Sequence, residues 1–482
     1  MAQLTTTYIS TRGEAKDATY SDIVLRGLAT DGGLYLPRVY PQVTAAELDY
    51  WRGLSYDELA AKILRRFATD IGREYIEEIC RKTYTPEVYC NVREGEDASQ
   101  IAPVMWLGGE NLALLQLSNG PTLAFKDMAM QYLGRLFEFL LSQQGKQLNI
   151  LGATSGDTGS AAEYAMRGRE GIRVFMLSPA GRMSAFQRAQ MYTLDDPNIF
   201  NLAIEGTFDD AQDIVKEVGA DAGFKQAHSI GTVNSINWAR ISAQVVYYFK
   251  AWLAVTEYPT EVVDFTVPSG NFGNILAGWI AKQMGLPVGR LVVATNENDV
   301  LDEFFKTGRY APRTAADTFV TSSPSMDISK ASNFERYIFD IVGRNPRRVV
   351  ELWTQLSLTG EFQLEAGEME RVRESGFISG TSTHADRLST IRQLWKDYGI
   401  LVDPHTADGV KVAREHSREG VKMITLETAQ PAKFAETIQE AVGLIPQVPD
   451  SYAGIEARAQ HEVTMPADTQ AVKRFIVKSL EA

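Results

Sequence analysis

The sequence predicts an α/β protein whose open parallel sheets are flanked by helices, with a mainly helical domain at the start. Apolar residues return every three or four positions in AAELDYWRGLSYDELAAKILRRFA (45–68), a pattern typical of amphipathic helices. From residue 112, helix-like stretches alternate with short apolar runs: LALLQL, LNILGAT, RVFML, IFNLAI, VVDFTV, RLVVAT and KMITLET. Strands that alternate with helices form parallel sheets that are covered on both faces.

The same patterns predict how the chain is divided. We expect a mainly helical domain at 1–95, a large α/β domain formed by 96–130 and 235–450, a small α/β domain inserted at 131–234, and a peripheral helix within 451–482. The segment 302–329 has little periodicity, so we expect it to run over the surface or over the functional site.

Composition argues against two classes of protein. A net charge of −13 and a pI near 5.1 are unfavourable for nucleic-acid binding, which needs a basic surface. No apolar run reaches the roughly 18 to 20 residues of a membrane helix. The first ten residues, MAQLTTTYIS, lack the basic and apolar regions of a signal peptide, so we expect a cytoplasmic protein.

The cysteines and histidines predict neither a disulfide framework nor a metal site. Two cysteines, Cys80 and Cys90, are typical of a reducing compartment, and we expect both to be packing residues. None of the five histidines has zinc-binding spacing; they are His228, His384, His405, His416 and His461.

Lys126 lies alone in the mostly apolar stretch NGPTLAFKDMAMQYLG (119–134). A lysine can bury its stem while its amine stays in water, which is the simplest interpretation of this pattern. A buried amine that takes part in chemistry is the alternative.

Two predicted strands are followed by loops suited to anions. The first loop, TSGDTG (154–159), offers hydroxyls and glycines before a helix, although Ser, Thr and Asp are also ordinary helix caps. The second, PSGNFGN (268–274), has glycines that let main-chain amides approach a phosphate. Because it lacks a Walker ending and a full GxGxxG, it favours a phosphate cofactor smaller than a nucleotide.

A third segment, GTVNSINWARISAQVVYYF (231–249), places Asn234, Ser235 and Arg240 around the start of an apolar helix. The guanidinium of Arg240 could bind phosphate through its fork of donors, or form a surface salt bridge.

An aldehyde cofactor would account for the lone lysine, the two loops and this segment together. It would bond to the lysine amine while a glycine loop held its phosphate, as expected for pyridoxal phosphate.

Seven motifs resemble the threonine synthase family, in its longer form with a helical N-terminal domain. They occur in the family's order within residues 8–434: DGGLYLP, NGPTLAFKD, ATSGDTG, NSINWAR, PSGNFGN, SPSMDIS and ETAQPAKF. The resemblance implies the fold type II architecture of pyridoxal-phosphate enzymes, similar to the tryptophan synthase β subunit. The large domain would then bind the cofactor.

The resemblance also implies roles for individual residues. Lys126 would bond to the cofactor, with Phe125 beside it, and Thr428 would face the pyridine nitrogen. The cofactor phosphate would be surrounded by Gly270, Asn271, Phe272, Gly273 and Asn274. The substrate carboxylate would bind at Thr154, Ser155, Gly156 and Asp157, and the substrate phosphate at Thr158, Asn234, Ser235 and Arg240.

Two positions depart from the expected pattern. Asp157 stands where many relatives of this fold carry Asn, and a carboxylate there would repel the cofactor's ring oxygen unless it were protonated or turned away. Gln430 stands where histidine is expected, which argues against a catalytic group at that position.

The activity implied by the resemblance is conversion of O-phospho-L-homoserine and water to L-threonine and phosphate, the last step of threonine biosynthesis. Such an enzyme would be a lyase, a monomer or small homo-oligomer, with no nucleic-acid or membrane partner. The alternatives are a pyridoxal-phosphate-dependent threonine or serine dehydratase, a phospholyase, and an inactive metabolite-binding relative.

Overall fold

The structure is a computed structural model that describes residues 5–481, without the side chain of Ala315. None of the helices in this range is long and apolar enough to cross a membrane. The helices are α1 Tyr20–Arg26, α2 Ala45–Trp51, α3 Tyr56–Phe67, α4 Arg73–Thr83, α5 Asp127–Gln144, α6 Asp157–Met166, α7 Ala185–Tyr192, α8 Phe208–Ala220, α9 Ala222–Ala227, α10 Trp238–Val255, α11 Gly273–Gln283, α12 Val300–Thr307, α13 Phe334–Ile341, α14 Pro346–Thr359, α15 Ala366–Glu374, α16 His384–Tyr398, α17 Pro404–His416, α18 Ala435–Val442 and α19 Thr469–Glu481.

The strands form two larger sheets and two short antiparallel pairs. They are β1 Tyr8–Ser10, β2 Tyr35–Pro37, β3 Val104–Leu107, β4 Leu112–Gln116, β5 Leu148–Ala153, β6 Ile172–Pro179, β7 Ile199–Glu205, β8 Ile230–Gly231, β9 Val263–Pro268, β10 Val288–Thr295, β11 Arg309–Tyr310, β12 Phe362–Gln363, β13 Phe377–Thr381, β14 Lys422–Glu427 and β15 Val463–Pro466.

The larger sheet has the strand order β13-β10-β9-β14-β4-β3, and all its pairs are parallel except β3 with β4. Every residue of β9 and of β4 is buried, which is why these strands have predominantly apolar sequences. The smaller sheet, β15-β7-β6-β5-β8, is parallel throughout. The carboxyl ends of β5, β9 and β14 lead directly into the predicted loops, where α/β proteins bind ligands.

The N-terminal helices pack against the helices that carry the site. Tyr20 Oη lies 3.1 Å from Ser242 Oγ on α10, and Tyr84 Oη donates to the carbonyl oxygen of Met128 on α5 at 3.0 Å. The rings of Phe67 and Trp238 meet edge to face, with centroids 5.8 Å apart. These contacts make the N-terminal region part of the support for α5 and α10.

All seven strands predicted from apolar runs are confirmed, and the remaining strands were missed. The segment 302–329 is not irregular throughout, because α12 extends to Thr307. Cys80 is buried as expected, but Cys90 is exposed, so its predicted packing role is wrong. The final region contains the predicted helix, α19, and also adds β15 to the smaller sheet.

Candidate active site

Lys126 lies at the N-terminus of α5, where a fixed turn sets its position. The Asp127 carboxylate accepts hydrogen bonds from the Thr122 amide at 2.7 Å and the Thr122 hydroxyl at 2.8 Å. The Phe125 amide donates to the Thr428 carbonyl at 2.8 Å. Lys126 is therefore attached to the carboxyl end of β14 in the larger sheet.

The amine of Lys126 is withdrawn from water. Its side chain is 14% exposed, and Nζ lies 3.7 Å from Asp157 Oδ2. Burial lowers the pKa of Lys126, and the positive charges of Lys433 and Arg240 lower it further against the opposing effect of Asp157. The interpretation of a solvated amine on a buried stem is wrong for this lysine.

Asp157 is buried and held by several donors. Oδ1 forms a salt bridge with Lys433 Nζ at 2.8 Å and accepts a hydrogen bond from Gln187 Nε2 at 3.1 Å, while Oδ2 accepts from Ser325 Oγ at 3.0 Å. Burial alone would raise the pKa of Asp157, but the ammonium groups of Lys433 and Lys126 outweigh it and hold the pKa far below the usual range. Asp157 is thus an ionised carboxylate that a second lysine, Lys433, neutralises.

The 154–159 loop is held by the hydroxyl of Thr154 and leads into α6. Thr154 Oγ1 accepts from the amides of Gly156 at 3.0 Å and Gly159 at 2.9 Å, so Thr154 acts as a local cap. Gly156 has φ +146°, which side chains rarely adopt. Ser155 is exposed and Thr158 half-buried at the start of this helix. The loop therefore contains an ordinary cap and also presents a helix N-terminus.

The loop after β9 turns sharply into α11 at Phe272, a non-glycine residue with φ +64°. The Phe272 ring is buried and stacks on Phe305, with centroids 6.1 Å apart, so only its main chain remains for a ligand. Asn274 Oδ1 accepts from Tyr247 Oη at 2.6 Å, which leaves Asn274 Nδ2 buried without a partner among the described residues. An unpaired buried donor beside a glycine loop fits an anion.

Gly270 and Gly273 lie close to protein atoms of neighbouring loops. A Cβ on Gly270 would lie 3.0 Å from the Ser325 carbonyl oxygen, and one on Gly273 would lie 3.2 Å from Asn333 Nδ2. Both glycines are half-buried and allow neighbouring loops to pack closely. The Cβ directions thus point towards protein atoms.

Arg240 is buried on the first turn of α10, with 4% of its surface exposed. One guanidinium nitrogen, Nη1, donates to the Val233 carbonyl at 2.9 Å, and Nε has no partner. Burial lowers the pKa of Arg240 to about 10. Among residues 5–481 no carboxylate forms a salt bridge with it, so the alternative of a surface salt bridge is wrong.

The segment before α10 meets the loop after β9 through a chain of polar side chains. Ser332 Oγ donates to Asn271 Oδ1 at 2.9 Å, so the hydroxyl of Ser235, 3.2 Å from Ser332 Oγ, is the donor to Ser332. Asn234 is exposed beside this chain. Two of the predicted anion-binding segments are therefore joined.

Lys433, His405 and Ser325 are site residues that sequence reasoning missed. His405 Nδ1 lies 2.7 Å from Asp403 Oδ1, and Nε2 accepts from the Ser325 amide at 3.0 Å, which assigns the proton to Nδ1. Lys433 and Ser325 lie within ETAQPAKF and SPSMDIS, so the motifs contained a signal for both. His405 offered none beyond its position at the start of α17.

Gln430 has a structural role. Its Nε2 donates to the carbonyls of Asn91 at 2.6 Å and Ser118 at 3.1 Å, and its amide donates to the Leu123 carbonyl at 3.0 Å. The side chain therefore joins the start of the large sheet region to the loop before Lys126.

Three family models match successive parts of the chain. A threonine synthase N-terminus model matches residues 7–84, a pyridoxal-phosphate-dependent enzyme model matches 106–355, and a threonine synthase C-terminal model matches 406–476. The middle match contains Lys126 and both glycine loops.

Individual relatives match over nearly the full length. The threonine synthase of Methylobacillus glycogenes is 57% identical over 98% of this chain and 100% of its own, and that of Corynebacterium glutamicum is 55% identical over 98% of each. The crystal structure of pyridoxal-phosphate-bound threonine synthase from Brucella melitensis has a TM-score of 0.93 at 42% identity, covering 99% of this chain and 100% of that one. The chain belongs to the threonine synthase family.

Proposed function

We propose that this chain is a pyridoxal-phosphate-dependent threonine synthase, which converts O-phospho-L-homoserine and water to L-threonine and phosphate. The full-length relatives carry that activity as their name. The buried guanidinium of Arg240, which has no carboxylate partner among residues 5–481, is the observation that carries the choice of a phosphorylated substrate, because an uncompensated buried cation is costly unless an anion binds to it.

The residues present fit the cofactor. A buried amine with a lowered pKa at Lys126 suits attachment to an aldehyde, and the orphaned Asn274 Nδ2 beside Gly273 suits a phosphate. Gly270, Asn271 and Phe272 would contribute to the same phosphate site, with Phe125 beside the lysine. When bound, pyridoxal phosphate supplies an electron sink for the negative charge that develops when the substrate loses a proton.

Lys126 would move protons at the substrate. Its amine is held by the fixed turn at the start of α5, and burial makes it easier to deprotonate near neutral pH. The buried surroundings keep bulk water from competing for those protons.

Thr428 would offer a neutral donor to the pyridine nitrogen. Thr406 Oγ1 already donates to Asp403 Oδ2 and accepts from the Thr428 amide at 3.0 Å. The Thr428 hydroxyl lies 3.5 Å from Thr406 Oγ1, too far for a strong bond, so its proton is available. A hydroxyl cannot protonate the nitrogen as a carboxylate could, which would moderate the electron sink.

The substrate would be held at both ends. The helix N-terminus at Thr154, Ser155 and Gly156 suits the carboxylate. The substrate phosphate would bind to Arg240 and to three polar residues, Thr158, Asn234 and Ser235. The chain of hydroxyls from Ser235 to Asn271 would keep the two phosphate sites adjacent.

The setting of the enzyme is part of the proposal. It would act in the cytoplasm as a monomer or small homo-oligomer on a small-molecule substrate. The domain division at 1–95, 96–130 with 235–450, 131–234 and 451–482 is supported by the two separate sheets.

Product analysis tests the function. Purified protein with pyridoxal phosphate is incubated with O-phospho-L-homoserine in ¹⁸O-labelled water. The expected products are phosphate and L-threonine that carries the label in its hydroxyl group. Release of phosphate with 2-oxobutyrate would indicate a phospholyase, turnover of L-threonine or L-serine a dehydratase, and no turnover by cofactor-loaded protein an inactive relative. Each of these results would overturn the proposal.

A further inference from the structure

Lys433 is the most deeply buried cation near the site. Its side chain is 0% exposed, and Nζ forms a salt bridge with Asp157 Oδ1 at 2.8 Å and donates a hydrogen bond to the Thr122 carbonyl at 2.8 Å. It follows β14 in the short turn Pro431–Phe434, so its position is fixed by the larger sheet. Nothing in the proposed mechanism uses it.

Asp157 faces two lysines at different distances. Lys433 contacts Oδ1 at 2.8 Å, whereas Lys126 Nζ lies 3.7 Å from Oδ2, which accepts instead from Ser325 Oγ at 3.0 Å. Ser325 is in turn held by His405, which accepts the Ser325 amide. The carboxylate is therefore oriented from both sides by groups other than Lys126.

This arrangement matters because an ammonium is most strongly retained when it is the only partner of a buried carboxylate. Were Lys126 the only cation beside Asp157, the pair would hold the proton on Lys126. Lys433 forms the shorter ion pair with Asp157, 2.8 Å against 3.7 Å for Lys126, so Asp157 does not need the Lys126 amine as its counter-ion.

We propose that Lys433 is a positioning residue that serves as the counter-ion of Asp157, so that Asp157 does not retain Lys126 as an ammonium. The inference rests on the proposed function, because it concerns the lysine that would bond to the cofactor. It also explains how the protein accommodates a carboxylate at position 157, because the positive charge of Lys433 neutralises it.

Two substitutions near Lys126 should shift the pH at which it loses its proton in opposite directions. The groups that face the Lys126–Asp157 pair are Asp127 on α5, Arg240 on α10, His405 on α17, and Lys433. Lys433→Met removes a positive charge and frees Asp157, so Lys126 should lose its proton only at higher pH. Asp157→Asn removes a negative charge and leaves Lys433 in place, so the shift should go to lower pH.

The test is a double-mutant cycle on cofactor loading. Full-length protein is stripped of cofactor, and the rate at which the visible band of lysine-bound pyridoxal phosphate forms is measured across pH. We expect Lys433→Met to slow loading at neutral pH by about tenfold or more and to move the profile to higher pH. Lys433→Met with Asp157→Asn should return both quantities close to wild type.

Lys422, the first residue of β14, provides a control. Its Nζ also donates to a carbonyl, that of Val255 at 2.5 Å, and to a carboxylate, that of Glu261 at 2.7 Å. Lys422→Met should therefore leave the loading profile unchanged. Loss of one lysine–carboxylate ion pair alone would affect both lysine variants alike.

The outcomes are separable. The inference is overturned if the Lys433→Met profile superimposes on wild type, if the double variant is as slow as Lys433→Met, or if Lys422→Met shifts the profile as far. If Lys433→Met does not fold, the double variant decides, since it must fold and load with a near wild-type profile. Wild-type protein that neither loads nor turns over would instead reject the proposed function.

Discussion

The Phe125 amide donates to the Thr428 carbonyl at 2.8 Å, and this bond joins the turn that presents Lys126 to the carboxyl end of β14. The two residues lie at opposite ends of the large sheet region in the sequence. Their contact brings the turn that carries Lys126 next to Thr428, and both residues are proposed to bind the cofactor.

Lys126→Ala should abolish covalent attachment of pyridoxal phosphate and lower turnover by about a thousandfold or more, because the amine that would bind the cofactor and move protons is removed. Borohydride reduction followed by intact-mass measurement detects the attached cofactor. Lys282→Ala is the control and should leave cofactor attachment unchanged. The Lys282 amine is also partly buried, but it donates only to the Gly289 and Ser375 carbonyls. A cofactor fixed to the Lys126→Ala protein would show that another amine does this work.

Gly159→Ala should destabilise the 154–159 loop by about 1 to 3 kcal/mol, because the added Cβ would lie 2.4 Å from Thr154 Cγ2 in a packed region. Gly219 on α8 is the matched helical glycine, with no atom within 4 Å of an added Cβ. Gly219→Ala should therefore stabilise the protein by about 0.5 to 1 kcal/mol. Thermal unfolding measures both, and equal effects of the two substitutions would contradict the geometry.

Glu163→Gln should stabilise the protein at neutral pH. Both carboxylate oxygens of Glu163 are buried without a partner among the described residues, and burial raises its pKa well above 4.5. The folded state therefore binds the proton more tightly than the unfolded state does. Stability from this group is fully present below pH 4.5 and is lost as the pH rises towards the raised pKa. An amide also supplies an N–H for Asn201 Oδ1, which is unpaired as well.

The test is to measure the unfolding temperatures of wild type and Glu163→Gln from pH 4.5, the ordinary pKa of a glutamate, up to pH 8. The advantage of Glu163→Gln should grow with pH and vanish at the acid end. Glu419→Gln is the control, because Glu419 is exposed. A constant difference at all pH values would show that the effect is packing and not ionisation.

The sequence predicted the parts of the fold that have a strong local signal. Runs such as VVDFTV, in β9, are predominantly apolar because both faces of the sheet are covered. By contrast, β13 has the sequence FISGT, with three small or polar residues, and three of the four residues of β15 are exposed. Their strand conformation depends on pairing with β10 and β7, which no local pattern records.

The site shows the same division between local and tertiary information. Lys126, the glycine loops and Arg240 could be found because each lies in a motif at the end of a predicted element. The environment of Asp157 could not, because Lys433 and Ser325 reach it from distant parts of the chain. Charge compensation of a buried carboxylate is set by the tertiary structure, so a sequence alone left only protonation or rotation as explanations.

Arg240→Ala should leave the ligand-free protein about as stable as wild type, since among residues 5–481 the buried guanidinium has no carboxylate partner and its Nε has no hydrogen-bond partner. Arg336 on α13 provides the contrast. Its three nitrogens donate to the Tyr35 carbonyl at 2.8 Å, to Asn333 Oδ1 at 2.7 Å and to the Ile236 carbonyl at 2.7 Å. Arg336→Ala should therefore lower the unfolding temperature markedly, because it leaves buried acceptors unpaired.

The same Arg240→Ala protein should keep its cofactor band but lose about 3 kcal/mol of transition-state binding for O-phospho-L-homoserine, roughly a hundredfold or more in kcat/KM. Lysine at this position should restore only part, because it supplies a point charge without the bidentate fork. With pyridoxal phosphate bound to both proteins, so that the cofactor's phosphate site is filled, inorganic phosphate should raise the unfolding temperature of wild type but not of Arg240→Ala. L-homoserine has no phosphate for Arg240 to bind, so any activity towards it should be unaffected. Equal losses with both substrates, or loss of the cofactor band, would make Arg240 a structural residue and remove the main support for a phosphorylated substrate.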